Sequence, residues 1–133
     1  MLVVKYAKML ADKLHADKEI IDLAALLHDI GVKDSDDIHE RVGAVRAEKI
    51  LRELKYPEET IQRVKECILT HRTSGRPKNK EAEIIRNADA MAHISALPFL
   101  IKIKSDRGSN LDDAIEWVKI RYLLRLQRSL LCR

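Results

Sequence analysis

The sequence predicts an all-α fold, a compact bundle of about five or six helices, on three observations. Helix formers dominate, while glycine (4) and proline (3) are too scarce for the turns of a β-protein of 133 residues. Apolar residues recur at spacings of three and four rather than alternating. The breaks between these runs are short and polar, with the length of ordinary helix connections. One domain over residues 1–133 is expected, because single domains run to roughly 100–150 residues. There is no internal repeat and no low-complexity tract.

Val3, Ala7, Leu10, Ala11 and Leu14 fall on one face of a first helix from Leu2 to Leu14, and Asp17 is placed to cap a second that runs into His28. From Gly31 to Asp37 a glycine and clustered acids break the pattern, which resumes through Val42, Val45, Ile50 and Leu54 as a third helix. Pro57 suits the first turn of a fourth, where its missing N–H has no partner to lose, and Ile61, Val64, Ile68 and His71 share one face of it. RTSGRPKNK reads as an exposed loop. A fifth helix carries Ile84, Ile85, Ala88, Asp89 and Ala92, and Pro98 is expected to kink or end it. After SDRGSN, Ser109 or Asn110 caps a last helix with the stripe Leu111, Ile115, Val118, Tyr122 and Leu126. Trp117, Ile120 and Leu124 lie opposite that stripe, so a homodimer, or packing against a further segment, is expected.

Charged residues make up 35% of the chain, yet the net charge is only +4. That balance permits attraction to phosphate-bearing partners without providing a dense basic stripe. A nucleic-acid-binding bundle using RPKNK and the Arg121, Arg125, Arg128 face is therefore the weaker alternative. No apolar run approaches the ~20 residues that span a bilayer, and no cationic segment leads a long apolar core, so a cytoplasmic protein without a membrane partner is expected. Cys67 and Cys132 lie far apart with no C-x-x-C spacing and read as reduced thiols.

Ile21, Ala24, Ala25 and His28 share one row of the second helix, which turns the imidazole inward. Alone, such a histidine is more often a hydrogen-bonded core residue than a ligand. Asp29 beside it changes the weighing. A carboxylate at the inner end of an apolar helix is costly without a cation or a strong hydrogen-bond network, and a helix C-terminus disfavours negative charge. Asp89 has the same oddity on the row of Ile85, Ala88 and Ala92, and His71 follows the row of Val64 and Ile68. A divalent metal accounts for all of them, because it neutralises carboxylates and accepts neutral imidazole. His39 is equally readable as a solvated residue at a helix start, and His15 and His93 carry no such signal.

The segments ALLHDIG (25–31), HERVGAVRAEKIL (39–51), ILTHR (68–72) and IRNADAMAHI (85–94) closely resemble the HD superfamily of metal-dependent phosphohydrolases. The signature of that superfamily is a histidine, then an adjacent His-Asp pair, then a distant aspartate. The resemblance covers most of the chain through Ile94. It implies His28, Asp29 and Asp89 as the defining metal ligands, with Asp29 the bridging or principal one. It also implies His39 and His71 where two-metal members hold their second ion, His71 near the pocket and His39 at its rim. Lys33 and Arg72 are implied contacts to substrate phosphate, with solvated surface charge as the alternative for each. The implied reaction is hydrolysis of a small phosphate ester, a nucleotide or related compound, by water activated on a divalent ion (Mn, Mg, Fe, Zn, Ni or Co). The family's first histidine has no counterpart near Val3, which leads us to expect weak metal binding and slow turnover. The alternative is a degenerate HD domain that binds metal or nucleotide without turnover and serves as a regulatory or scaffolding module.

Overall fold

Apolar spacing carries the first four helices and a side-chain cap opens the second, but the third buries Gly43, Ala44, Ala47 and Leu51 while Val45 and Leu54 are 67% and 64% exposed. The computed structural model describes residues 1–32, 38–72, 75–106, 108 and 110–118. Among them are six helices and no strand: α1 (Leu2–Leu14), α2 (Lys18–Leu27), α3 (His39–Glu53), α4 (Glu58–Thr70), α5 (Lys80–Asp106) and α6 (Leu111–Val118). Asp17 caps α2, its carboxylate accepting from the N–H groups of Glu19 at 3.1 Å and Ile20 at 3.3 Å. Asn110 does the same for α6, accepting from Asp113 N–H at 2.8 Å. Pro57 sits just outside α4 as its N-cap rather than inside the first turn. Pro98 neither ends α5 nor marks its boundary, and the helix continues to Asp106. A proline removes one N–H from the ladder, and here the bonds on either side carry the helix past it.

The chain divides into two compact units, Met1–Asp89 and Ala90–Arg133. In the first, α3 packs on α4, α1 on α2, and α2 on α4. Its centre is a set of fully buried side chains: Ile20 and Ile21 from α2, Leu51 from α3, Ile61 and Ile68 from α4, and Ile84 and Ile85 from α5. Burying each contributes roughly 1.5–3 kcal/mol relative to exposure. Gly43, Ala44 and Ala47 line the buried face of α3 with small side chains, which lets α3 approach its neighbours closely. Polar contacts lock the ends: Arg63 reaches Asp17 at 2.9 Å and the buried Glu81 at 3.4 Å, and Lys80 donates to the carbonyl of Leu14 at 3.0 Å.

Two residues of the RPKNK segment are thus used by the fold itself. Lys80 caps the end of α1, while Asn79 caps α5 by accepting from Ala82 N–H at 2.9 Å. Arg121, Arg125 and Arg128, with Ile120, Tyr122, Leu124, Leu126 and Cys132, lie outside the described residues, as does the side chain of Trp117. No described helix is long and apolar enough to cross a membrane.

Candidate metal centre

Two helices end on a histidine. His28 is the C-cap of α2 and His71 the C-cap of α4. The last carbonyls of a helix lack intrahelical partners. Each imidazole supplies one: His28 Nδ1 donates to Ala25 O at 3.0 Å, and His71 Nδ1 donates to Ile68 O at 2.6 Å. A carbonyl can only accept, so both Nδ1 atoms carry the hydrogen. When neutral, each ring then presents a bare Nε2 lone pair away from its own helix. Both rings are 3% exposed and meet edge to face, centroids 5.4 Å apart.

His39, the first residue of α3, joins them through a close backbone approach. A Cβ on Gly31 would lie 2.3 Å from His39 O and 2.6 Å from Gly43 N, so only glycine lets the turn after Asp29 rest on the first turn of α3. His39 is buried, at 6% exposure, rather than at a rim. Its Nε2 lies 3.2 Å from His71 Nε2.

Asp29 Oδ1 completes a triangle with these two nitrogens, 3.5 Å from His71 Nε2 and 3.6 Å from His39 Nε2. Sides of 3.2, 3.5 and 3.6 Å put the centre about 2.0 Å from each corner, close to the ~2.0–2.1 Å bond of a zinc-type ion to imidazole. A tight trio of donors with this spacing could hold a divalent ion. The carboxylate's other oxygen turns the opposite way: Asp29 Oδ2 is 3.3 Å from His28 Nε2, which in turn is 3.7 Å from Asp89 Oδ1. The structure therefore brings together all five histidines and aspartates expected at the site, with Asp29 between two groups of them. The tightest cluster is Asp29, His39 and His71, whereas the sequence resemblance put His28, Asp29 and Asp89 first.

Electrostatics follow from this crowding. Burial works against ionising Asp29, but hydrogen bonds from His28 and His71 outweigh it and hold the carboxyl far below the usual carboxylate range. Burial likewise opposes a charge on His28, yet its bond to Asp29 and the charges of Asp29 and Asp89 outweigh that and raise its pKa. Asp29 is half-exposed, at 50% of its side chain, and Asp89 is mostly covered, at 16%. The negative C-terminal ends of α2 and α4 both point into this cluster, an arrangement that favours a cation.

Arg72 follows His71 and is partly buried, with Nη1 3.3 Å from Glu40 Oε2. Glu40 is a residue the sequence reading passed over. The available signal was its place directly after His39, matching that of Arg72 after His71. Lys33 lies outside the described residues. His15 is exposed in the left-handed cap of α1, and His93 is also exposed. Cys67 is a buried free thiol pushed up to about 12 by burial and by the charges of Glu81 and Glu66, so it offers no nucleophile.

Comparison with curated proteins and with solved structures found no match. The family model for the HD domain matches residues 1–93, a span that runs from the start of α1 past Asp89 and takes in every residue of the cluster. With inward histidines at the ends of α2 and α4, a bridging aspartate between them and a distant one on α5, the chain belongs to the HD domain family, a superfamily of metal-dependent phosphohydrolases.

Proposed function

We propose that this protein hydrolyses a small phosphate ester, nucleotide-like in class, with a divalent ion held by Asp29, His39 and His71 and further supported by His28 and Asp89. The observation that carries this reading is the triangle of Asp29 Oδ1, His39 Nε2 and His71 Nε2, with His71 Nδ1 committed to a backbone carbonyl. Two imidazoles favour a transition ion over magnesium or calcium. Such an ion supplies an activated water at neutral pH and neutralises charge on the phosphoryl oxygens.

The chain's own groups divide the remaining work. Asp29 presents one oxygen to each side of the cluster and so fixes His28 relative to the His39–His71 pair. The Ala25 and Ile68 carbonyls keep the Nε2 lone pairs aimed inward. Asp89, reaching His28 at 3.7 Å, balances charge on that imidazole. Arg72, and Lys33 from the segment after Gly31, are the cations proposed to meet the phosphate.

The test is manganese titration followed by assay with p-nitrophenyl phosphate. Manganese is expected to raise the melting temperature and to be required for phosphate release. Stabilisation without release would make the chain a binding module that holds metal without turnover, and no response to manganese, zinc or cobalt would overturn the reading.

A further inference from the structure

Beside the histidine pair lies a second pair with the same construction. His39 and Glu40 open α3, and His71 and Arg72 follow the last residue of α4. Where His39 Nε2 faces His71 Nε2 at 3.2 Å, Arg72 Nη1 donates to Glu40 Oε2 at 3.3 Å, one residue further along both segments. Side-chain exposure is 19% for Glu40 and 25% for Arg72. At the other end of the same two helices, the ion pair of Arg52 with Glu58 is 52% and 54% exposed.

The backbone of Arg72 is held too. Its carbonyl accepts from Gly75 N–H at 2.8 Å, and Arg86 Nη1 donates to Gly75 O at 3.1 Å. Gly75 presses so closely on the end of α4 that a Cβ there would lie 2.2 Å from Thr70 O. A long side chain anchored at its backbone and through its guanidinium has already lost much of the rotamer freedom that ligand binding would otherwise cost it. The guanidinium is a planar fork, so a carboxylate on Nη1 sets the direction of the whole plane.

We propose that Glu40 is a positioning residue that, through its ion pair, aims the Arg72 guanidinium at the phosphoryl group of a substrate bound beside His39 and His71. This rests on the phosphohydrolase reading and adds the group that directs its phosphate contact. The carboxylate itself would be repelled by phosphate, so any benefit it brings must pass through Arg72.

Inorganic phosphate is the probe, titrated by calorimetry into the full chain with and without manganese, for wild type, E40Q, R72A and the double variant. R72A is expected to weaken phosphate binding roughly 10- to 100-fold, the range for losing a hydrogen bond to a charged group. E40Q is expected to weaken it roughly 3- to 10-fold, and the double variant to bind no more weakly than R72A alone, because Glu40 acts only through Arg72. E40D should recover part of the loss and carries the same test should E40Q fail to fold. Manganese affinity in E40Q should match wild type, which a general disturbance of the first turn of α3 would not leave intact. Equal or tighter phosphate binding by E40Q, additive losses, loss of manganese by E40Q, or no phosphate binding by wild type in either state would each overturn the proposal. Wild type that binds phosphate but not manganese would defeat the hydrolase reading, while the variant series still decides the role of Glu40.

Discussion

The α3–α4 pair carries polar groups at both ends, and the two ends behave in opposite ways. At the far end, Arg52 pairs with Glu48 at 2.9 Å and with Glu58 at 2.8 Å, Gln62 donates to Glu58 at 2.7 Å, and Lys65 joins Glu48. There both carboxylates, Glu48 and Glu58, face positive or donating groups, and Arg52 and Glu58 stand more than half in water. At the near end His39 and His71 are buried with their Nε2 atoms facing each other, and His28, equally buried, shares Asp29 with them. Charge density does not distinguish these ends. What marks the near end is buried imidazoles gathered around one shared carboxylate, an arrangement that favours a cation.

The sharpest way to break the contrast is His71→Ala. We expect it to weaken manganese binding by roughly 100-fold or more, beyond what loss of a supporting contact alone costs. At a metal concentration ~100 times the wild-type dissociation constant, binding stabilises the native state by about 2.7 kcal/mol, and the variant should lose nearly all of this. Differential scanning calorimetry with and without manganese measures both. An unchanged manganese-induced rise in melting temperature would remove His71 from the centre.

An intermediate effect is expected from pH. Without metal, His28 has a folded pKa above its ordinary 6.5, so its contribution to stability is complete below that value and fades as pH rises through the raised one. Asp29 is lowered from 3.8, so its contribution is present above that value and is lost only as pH falls through the lowered one. The metal-free protein should therefore be most stable between these two reference values and weaken toward neutral pH. Manganese should reverse the trend, because ligation needs neutral imidazoles and gains as protons leave. A metal-free melting temperature that holds level from about pH 6 to about pH 8 would mean that His28 does not gain a proton on folding.

The smallest effect belongs to the far end. Arg52→Ala should leave manganese affinity at its wild-type value and change the melting temperature little, with that small change disappearing in high salt as exposed pairs are screened. A large loss of either property would show that the two ends are coupled through α3 and α4.

Much of this was legible from local chemistry. The α2 cap at Asp17 and the inward row of Ile21, Ala24, Ala25 and His28 need only residue spacing within one helix. The start of α6 at Asn110 is equally local, while the run of α5 through Pro98 is not, because a single missing N–H is weighed against all the bonds around it. His39 illustrates the limit most clearly. Read alone it is equally a solvated residue at a helix start or a ligand, and in the structure it is buried beside His71, where Gly31 lies against the first turn of α3.

By itself, then, the sequence determined an all-α chain, the inward direction of His28, Asp89 and His71, and the HD pattern, because periodicity and capping act over a few residues. Tertiary structure alone decided that Asp29 stands between two groups of histidines and aspartates, that the closest trio is Asp29, His39 and His71, and that Glu40 meets Arg72. Those outcomes depend on angstrom-scale approaches between α2, α3 and α4, segments separated by many residues of chain, and no spacing rule within one helix fixes such distances.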